Sequence, residues 1–540
     1  MLRLSALLGG SAVAVGLAPW GNAAASRPLP SDGCSAPRSL PSAITSVMQK
    51  PRYAESTWAL HVADAATGET LYELQPDRMV LTGSVRKLFS VGLALMQLGP
   101  DHRFTTPVHR RGTVDAQGVL NGDLVLVAAG DLTLGGRLNA DGTIAFTDFD
   151  HNDANNLGTA ILTPQDPLYG LDNLAQLVRA SGIREVTGEV VVDDRLFDNF
   201  RVPNQILLIT PMMVNENMVD LIVAPAQPGQ AASVDWRPKS EAFAATGEVQ
   251  TVAAATPETV SLSGRGLAEC IGVVGCTGTV DGAIPIGYQA PLSSSPLLVQ
   301  TFRIEDPAAF ARTAFIEALK RAGVTVMAPA VAQNPTGGLA APSSHALDTR
   351  VAQFVSSPYA EYAKLILKVS LNLGANLSLM HFGLAHGQRT IADALAVERQ
   401  TLINQFGLRA DEFDFPTNGS GSPDSQATPR ATVRMLTEVG RTAAAQFYRT
   451  ALPVLGVDGS LAHTGADLPA KGHVFAKTGT TIGEGELIAQ NLAGYIDARS
   501  GRPLAFAIFL NDAGPVESIS DVTDVFEDEA VISNAIYEAC

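Results

Sequence analysis

Two blocks of strand and helix pattern, one near each end of the chain, bracket a middle of quite different texture. Thr57 to Asp64 reads as a strand, Ala65 to Gly68 as a turn, and Glu69 to Leu74 as the returning strand. Val85 to Leu98 follows with helical spacing, with Leu88, Val91 and Leu95 on one face. Gly99-Pro100 ends that helix, because Gly tolerates a left-handed cap and Pro cannot continue it. Near the other end, Gly472 to Lys477, Ile488 to Ile496 and Leu504 to Asn511 read as strands. A turn at Asp497 to Gly501 separates the last two. From 103 to 300, short β-rich pieces such as Gly122 to Val127 and Gly188 to Val192 alternate with turn residues, and Leu171 to Ala180 is the good helix. Strands from two distant blocks bury their faces together in one antiparallel sheet, which makes 103–300 an insertion.

After 300 the helices return. Asp306-Pro307 is a cap followed by Pro at the first helical position, and Gly323 closes that helix. Tyr359 to Leu384 reads as helix, short break, helix, and Thr428-Pro429 starts another. At 540 residues the chain exceeds one hydrophobic core, since domains run about 100–200 residues. The expected class is α+β: an antiparallel sheet flanked by helices, built from 26–102 and 301–540, and interrupted by a β-rich insertion of two small domains at 103–300.

Composition excludes several functions. The chain is 46% apolar and 17% charged, as a folded globular protein is, unlike a disordered tail, a collagen or a coiled coil. Thirty-seven Lys and Arg against 54 Asp and Glu leave a net charge of −17. That argues against nucleic acid as a partner, whose electrostatic footprint is basic; solubility is the plainer meaning of the acidity. Arg3 is followed by an apolar stretch from Leu4 to Ala18, a break at Pro19 and Gly21, and then Ala23-Ala24-Ala25. This is the layout of a signal peptide over 1–25, cut after Ala25. The apolar stretch is too short to span a bilayer as an anchor. No later run is long enough either, so the expectation is an exported chain in the periplasm or cell envelope, without a transmembrane helix. The four cysteines, Cys34, Cys270, Cys276 and Cys540, are even in number, which favours disulfides over free buried thiols. Cys270–Cys276 would close a short local loop, and Cys34–Cys540 would tie the two mature ends. Their spacing does not suit zinc.

Three polar motifs can carry chemistry. Ser84-Val85-Arg86-Lys87 lies where the first hairpin hands over to a helix. Residues three apart share a helix face, so Ser84 Oγ and Lys87 Nζ can meet. A hydroxyl is a poor nucleophile until a base takes its proton, and a desolvated lysine has its pKa lowered toward that task. Ser370-Leu371-Asn372 falls in the break between two apolar helical runs, where plain helix capping is the alternative. Lys477-Thr478-Gly479, continuing into Thr480, offers a charge, a hydroxyl and room for close backbone approach, which suits a carboxylate. Alone, it is an exposed strand end. Each motif recurs by chance; the ordered set in these contexts is far rarer.

S-x-x-K, S-x-N and K-T-G in this order mark penicillin-binding proteins and serine β-lactamases. The chain resembles the D-alanyl-D-alanine carboxypeptidase/endopeptidases of the penicillin-binding protein 4 group. Further stretches carry the likeness: Gly122-Asp123-Leu124 with Ala129-Gly130-Asp131-Leu132-Thr133-Leu134, Asp193 to Asp198, Asn418-Gly419-Ser420-Gly421-Ser422, and Leu452 to Leu461. Ser84 and Ser370 are 370 − 84 = 286 residues apart. Simple serine β-lactamases hold these motifs much closer, whereas this group threads extra domains between them. Leu371 stands where the group usually has a polar residue, Asn418 where it has Asp, and Leu132 where it has Pro.

The resemblance implies a penicillin-binding, β-lactamase-like transpeptidase fold and a division of labour. Ser84 would be the nucleophile and Lys87 its base. Ser370 would relay a proton to the leaving amine, in contact with Lys477, and Asn372 would bind the substrate amide. Lys477 and Thr478 would hold the terminal carboxylate, beside Gly479. The backbone N–H groups of Ser84 and Thr480 would form the oxyanion hole, and Ser420 would shape the rim unless its loop is an ordinary Gly-rich turn. Peptidoglycan stem peptides would be the substrates and β-lactams the inhibitors. A β-lactamase would need an efficient deacylating base, typically Glu, for which no loop is evident. A catalytically silent cell-wall-binding protein would not need Ser84, Lys87, Ser370, Asn372 and Lys477 all intact. His381 and His386, at i and i+5, are poorly spaced for a metal, and no H-E-x-x-H, P-loop or dinucleotide motif occurs. No metal or organic cofactor is expected.

Overall fold

In a computed structural model, which describes residues 38–342, 344–346 and 349–540, the two end blocks meet in one sheet. The expected signal peptide, and Cys34 with its expected bond to Cys540, lie outside the described residues. A short helix α1 (Ser42–Met48) precedes the hairpin of β1 (Thr57–Asp64) and β2 (Thr70–Leu74), and a 3-10 turn at Gly83–Arg86 leads into α2 (Lys87–Leu98). The middle carries β3 (Thr105–Val114), β4 (Val119–Val127), α3 (Tyr169–Ala180), β5 (Val190–Asp193), β6 (Met218–Ala224) and β7 (Ser233–Arg237). It continues with β8 (Thr277–Pro285), β9 (Leu298–Ile304), α4 (Pro307–Arg321) and β10 (Arg350–Val355). Four helices follow: α5 (Tyr359–Lys368), α6 (Asn372–Ala385), α7 (Ile391–Asn404) and α8 (Pro429–Gly440). The chain closes with β11 (Val474–Gly483), β12 (Glu486–Asp497), β13 (Pro503–Asn511) and α9 (Ile519–Ala539).

The terminal sheet runs β2–β1–β13–β12–β11, with every neighbour antiparallel. Its period of two sorts the side chains cleanly. Ala59, Ala63, Ala505, Ala507 and Phe509 face a core shared with α2, α5, α6 and α8. Trp58, Leu60, Val62, Phe506, Ile508 and Leu510 face a second core under α1 and α9. Small alanines on the first face let those helices pack closely against the strands. β11 is the outer strand of this sheet, and its outer edge is bridged at Phe475 by Val454, which belongs to no strand.

The helix signals hold at residue level. Asp306 accepts from Ala309 N at 2.9 Å and Thr428 from Ala431 N at 3.0 Å, each followed by Pro in the first turn. The expected boundary near 300, however, falls inside the inserted architecture. β9 pairs with β6, α4 packs into the same core as β4, β5 and α3, and β10 pairs antiparallel with β3. Single insertion residues such as Leu132, Phe197 and Met213 reach the first of the terminal sheet's cores, but helices packed on it resume at α5. Helical periodicity after 300 marks α4 as amphipathic without saying which sheet covers it, and that is why the texture change misleads. A smaller apolar cluster around Leu221, Val249, Val280 and Ile284 forms a separate core within the insertion. Cys270 and Cys276 are disulfide-bonded. Among the described residues, no helix is long and apolar enough to cross a membrane.

Candidate active site

Ser84 lies in the 3-10 turn and Lys87 opens α2, so the local spacing alone puts them on one face. Lys87 Nζ is 2.5 Å from Ser84 Oγ. The turn is anchored from behind by Arg86, which is wholly buried. Its two terminal nitrogens donate to the Glu398 carboxylate of α7 at 2.8 and 2.5 Å, and the guanidinium stacks over the Phe415 ring at 4.0 Å.

Lys87 Nζ also reaches Asn372 Oδ1 at 2.6 Å and the Ser420 carbonyl at 3.2 Å. A neutral amine has two N–H donors and one lone pair. With the donors given to Asn372 and Ser420, the lone pair faces the Ser84 hydroxyl. Complete burial brings the Lys87 pKa down from 10.5 to about 7, against the opposing attraction of Asp153. The base form is therefore well populated at neutral pH.

Ser370 sits between α5 and α6 with a left-handed φ of 59°. Its Oγ accepts from Lys477 Nζ at 2.9 Å and lies 3.3 Å from Lys87 Nζ, so one hydroxyl bridges the two lysines. Burial first, and the nearby charge of Lys87 second, hold the Lys477 pKa well below the ordinary lysine value, with Asp153 opposing. Lys477 also donates to the Thr478 carbonyl at 2.7 Å.

Beyond the Val454–Phe475 bridge, the Gly479 part of β11 faces the Ser84 turn. A Cβ on Gly479 would stand 2.5 Å from Thr82 O and 3.1 Å from Ser84 N, so only glycine allows this approach. In the same way a Cβ on Gly83 would stand 2.9 Å from Thr480 N, so the backbone of the Ser84 turn lies directly against that of β11. Beside Asn372, Gln205, Glu216 and Arg303 of the insertion form a wall with Leu371.

Asp150, His151 and Glu216 hold ligand-type atoms within 4.8 Å of one another, yet their lone pairs face donors rather than open space. Arg137 donates to both carboxylates, and His151 contacts Asp220 at 2.6 Å and Glu216 at 3.1 Å. Burial disfavours the charged ring, but Asp220 and Glu216 outweigh it and push the His151 pKa up to about 10. With Arg237 on Asp220, three cations meet three carboxylates, which leaves no charge for a metal to neutralise.

A family model described as D-Ala-D-Ala carboxypeptidase 3 (S13) matches residues 40–530. The chain belongs to this family. It is a serine-type D-Ala-D-Ala peptidase. A curated relative, the D-alanyl-D-alanine carboxypeptidase of Actinomadura sp. (strain R39), is 27% identical over 497 residues, 87% of this chain and 81% of that one. Penicillin binding protein 4 of Haemophilus influenzae shares the fold at TM-score 0.67 and 18% identity, over 92% of this chain and 99% of that one. Its complex with a β-lactam superposes at TM-score 0.64 and 19% identity, with the same coverage.

The departures of this S13 chain have physical accounts. Asn418 is fully buried, and its Oδ1 accepts from Ser420 N at 2.8 Å and Gly421 N at 2.7 Å, the work of an Asp carboxylate. Its Nδ2 adds bonds to Thr417 Oγ1 and the Ser422 carbonyl. Leu371 is 2% exposed and packs in the core with α2 and α6, where a polar side chain would need a partner. Leu132 is likewise buried in that core. The expected rim role of Ser420 does not match its position. Its side chain is 0% exposed and tied to Asn204, Asn376 and Asn418, and only its carbonyl turns to the site, toward Lys87. Sequence reasoning missed Asn376, one helical turn after Asn372, which donates to Ser420 and accepts from Gly419 N. It also missed the Arg86–Glu398 pair. The sequence signal was a charge inside S-x-x-K, just before an apolar helix.

Proposed function

We propose that this S13 peptidase cleaves the D-Ala-D-Ala bond of peptidoglycan stem peptides, or the chemically equivalent D-Ala–diaminopimelate cross-link, through an acyl-enzyme on Ser84. The carrying observation is the set of contacts at Lys87, whose Nζ lies 2.5 Å from Ser84 Oγ while Asn372 Oδ1 and the Ser420 carbonyl are placed to accept its N–H groups. Ser84 Oγ attacks the scissile carbonyl and its proton passes to Lys87. The amides of Ser84 and Thr480 hold the oxyanion, where one donor is worth about 3 kcal/mol of barrier. Ser370, between the two lysines, relays the proton to the leaving amine as the C–N bond breaks. Asn372 holds the substrate amide, and Lys477 and Thr478 hold its terminal carboxylate. Water then attacks the ester, its proton goes to Lys87, and Ser84 is regenerated.

The route uses side chains and backbone amides alone, with neither metal nor organic cofactor. β-Lactams, which mimic the acyl-D-Ala-D-Ala backbone, acylate the same serine. The substrate polymer lies outside the plasma membrane, so the enzyme acts after export, in the periplasm or cell envelope. A nucleic-acid partner has no place in this reading. Labelled penicillin should give a one-to-one covalent adduct that mass spectrometry maps to Ser84, and Ser84→Ala should lose it. Label retained by Ser84→Ala would refute the assignment. Slow release of the adduct marks a penicillin target, and fast turnover would mark a β-lactamase instead.

A further inference from the structure

We infer that Asp458 is a positioning residue that sets where Ser370 stands, and that the segment around it aligns two motifs of the site at once. The inference rests on the proposed role of Ser370 as proton relay. Lys368, the last residue of α5, is 3% exposed and donates to both oxygens of Asp458 at 2.6 Å each. Two residues later Ser370 holds the left-handed conformation that glycine usually takes past a helix end. Leu371 N closes the turn on Ile366 O at 3.0 Å. A non-glycine residue stays in this region only when its surroundings insist.

The segment supplies that insistence. Asp458 Oδ1 also accepts from Val454 N at 2.9 Å, which stiffens the loop that carries it. Gly459 has φ 61°, and a Cβ there would stand 2.7 Å from the Lys368 carbonyl, so its backbone lies flat against the end of α5. One residue on, Ser460 Oγ lies 2.9 Å from Thr478 Oγ1, inside K-T-G. Gly459 N donates to Asp148 of the insertion at 2.8 Å and so fixes the same segment from a third side. Asp458 thus grips the helix that presents Ser370, while Ser460 grips the strand that presents Lys477 and Thr478. The distance between Ser370 and Lys477 depends on both grips.

The two grips predict different kinetic signatures in the full-length chain. Steady-state turnover is measured on an acyl-D-Ala-D-Ala peptide, whose leaving amine needs a proton, and on the matching acyl-D-Ala thioester, whose thiolate does not. Asp458→Asn should lower kcat on the peptide about 30-fold and on the thioester less than about threefold, with KM unchanged, as expected for a displaced proton relay. Ser460→Ala should raise KM on both substrates about threefold or more, with kcat within about twofold, because Thr478 faces the carboxylate. Equal losses on amide and thioester in Asp458→Asn, or none, would overturn the inference. Should Asp458→Asn not fold, an unchanged KM in Ser460→Ala would overturn it alone. Label retained by Ser84→Ala would instead sink the underlying peptidase reading, which keeps the two failures apart.

Discussion

Acid should silence the enzyme through Lys87 well before it unfolds the chain. The buried amine titrates at about 7, and only its neutral form can take the Ser84 proton. The neutral fraction is about 97% at pH 8.5 and about 3% at pH 5.5, so acylation should fall roughly 30-fold between them, about one decade per pH unit at the acid end. A proton on Lys477 repels one on Lys87, which tends to keep Lys87 neutral and does not reverse the direction. The measurement is the rate of covalent labelling by a fluorescent penicillin at constant ionic strength, with near-ultraviolet circular dichroism confirming the native state at each pH. A rate that stays flat from pH 5.5 to 8.5, or rises toward acid, would refute the role of Lys87 as base. Stability carries the opposite face of the same burial. An unfolded Lys87 keeps its proton to about pH 10.4, whereas the folded one releases it near 7. Between those values the unfolded state binds more protons, so stability rises with pH there, while below 7 the burial penalty is complete and constant. Lys87→Met should lack both the penalty and this rise, so in urea denaturation its advantage over the wild type should shrink by about 1.4 kcal/mol for each pH unit between 7 and about 10.

Three further outcomes follow from the same geometry. Glu398→Ala leaves Arg86 as a buried, unpaired cation, both partners being at most 1% exposed; chemical denaturation should register a loss of about 3–5 kcal/mol, and one below about 1 kcal/mol would contradict the account. Gly479→Ala drives a Cβ to 2.5 Å from Thr82 O, which should push the outer strand off the nucleophile turn and slow penicillin labelling by about 100-fold, whereas wild-type labelling would show that the approach is not tight. The Cys270–Cys276 bond closes no part of the site, so dithiothreitol should leave the labelling rate within about twofold and lower the unfolding free energy by about 2 kcal/mol for so short a loop.

Much of the catalytic group was legible because its signals are local. Ser84 and Lys87 meet because they are one helical turn apart. Strand alternation at 57–74 and 488–511 is written in contiguous residues, as are the caps at Asp306 and Thr428. Local signals failed where identity depended on the covering partner. The helix at 307–321 looks like the return of the catalytic part, yet its apolar face is taken by β4, β5 and α3. Ser420 looks like a rim hydroxyl in a Gly-rich loop, yet three asparagines from separate segments consume it. Leu371 looks like damage to a polar motif, yet its side chain belongs to the core.

By itself the sequence determined the Ser84–Lys87 pair proposed as nucleophile and base, the strand end at Lys477 proposed to hold a carboxylate, the antiparallel sheet and the long insertion, all properties of residues near one another along the chain. Tertiary structure alone decided what the amine of Lys87 touches. Asn372 and Ser420 lie 285 and 333 residues away, and no periodicity reaches that far. Packing α2 against α6 and the loop at Gly419 and Ser420 brings them together, burial then strips the lysine of water, and its lowered proton affinity follows from that desolvation.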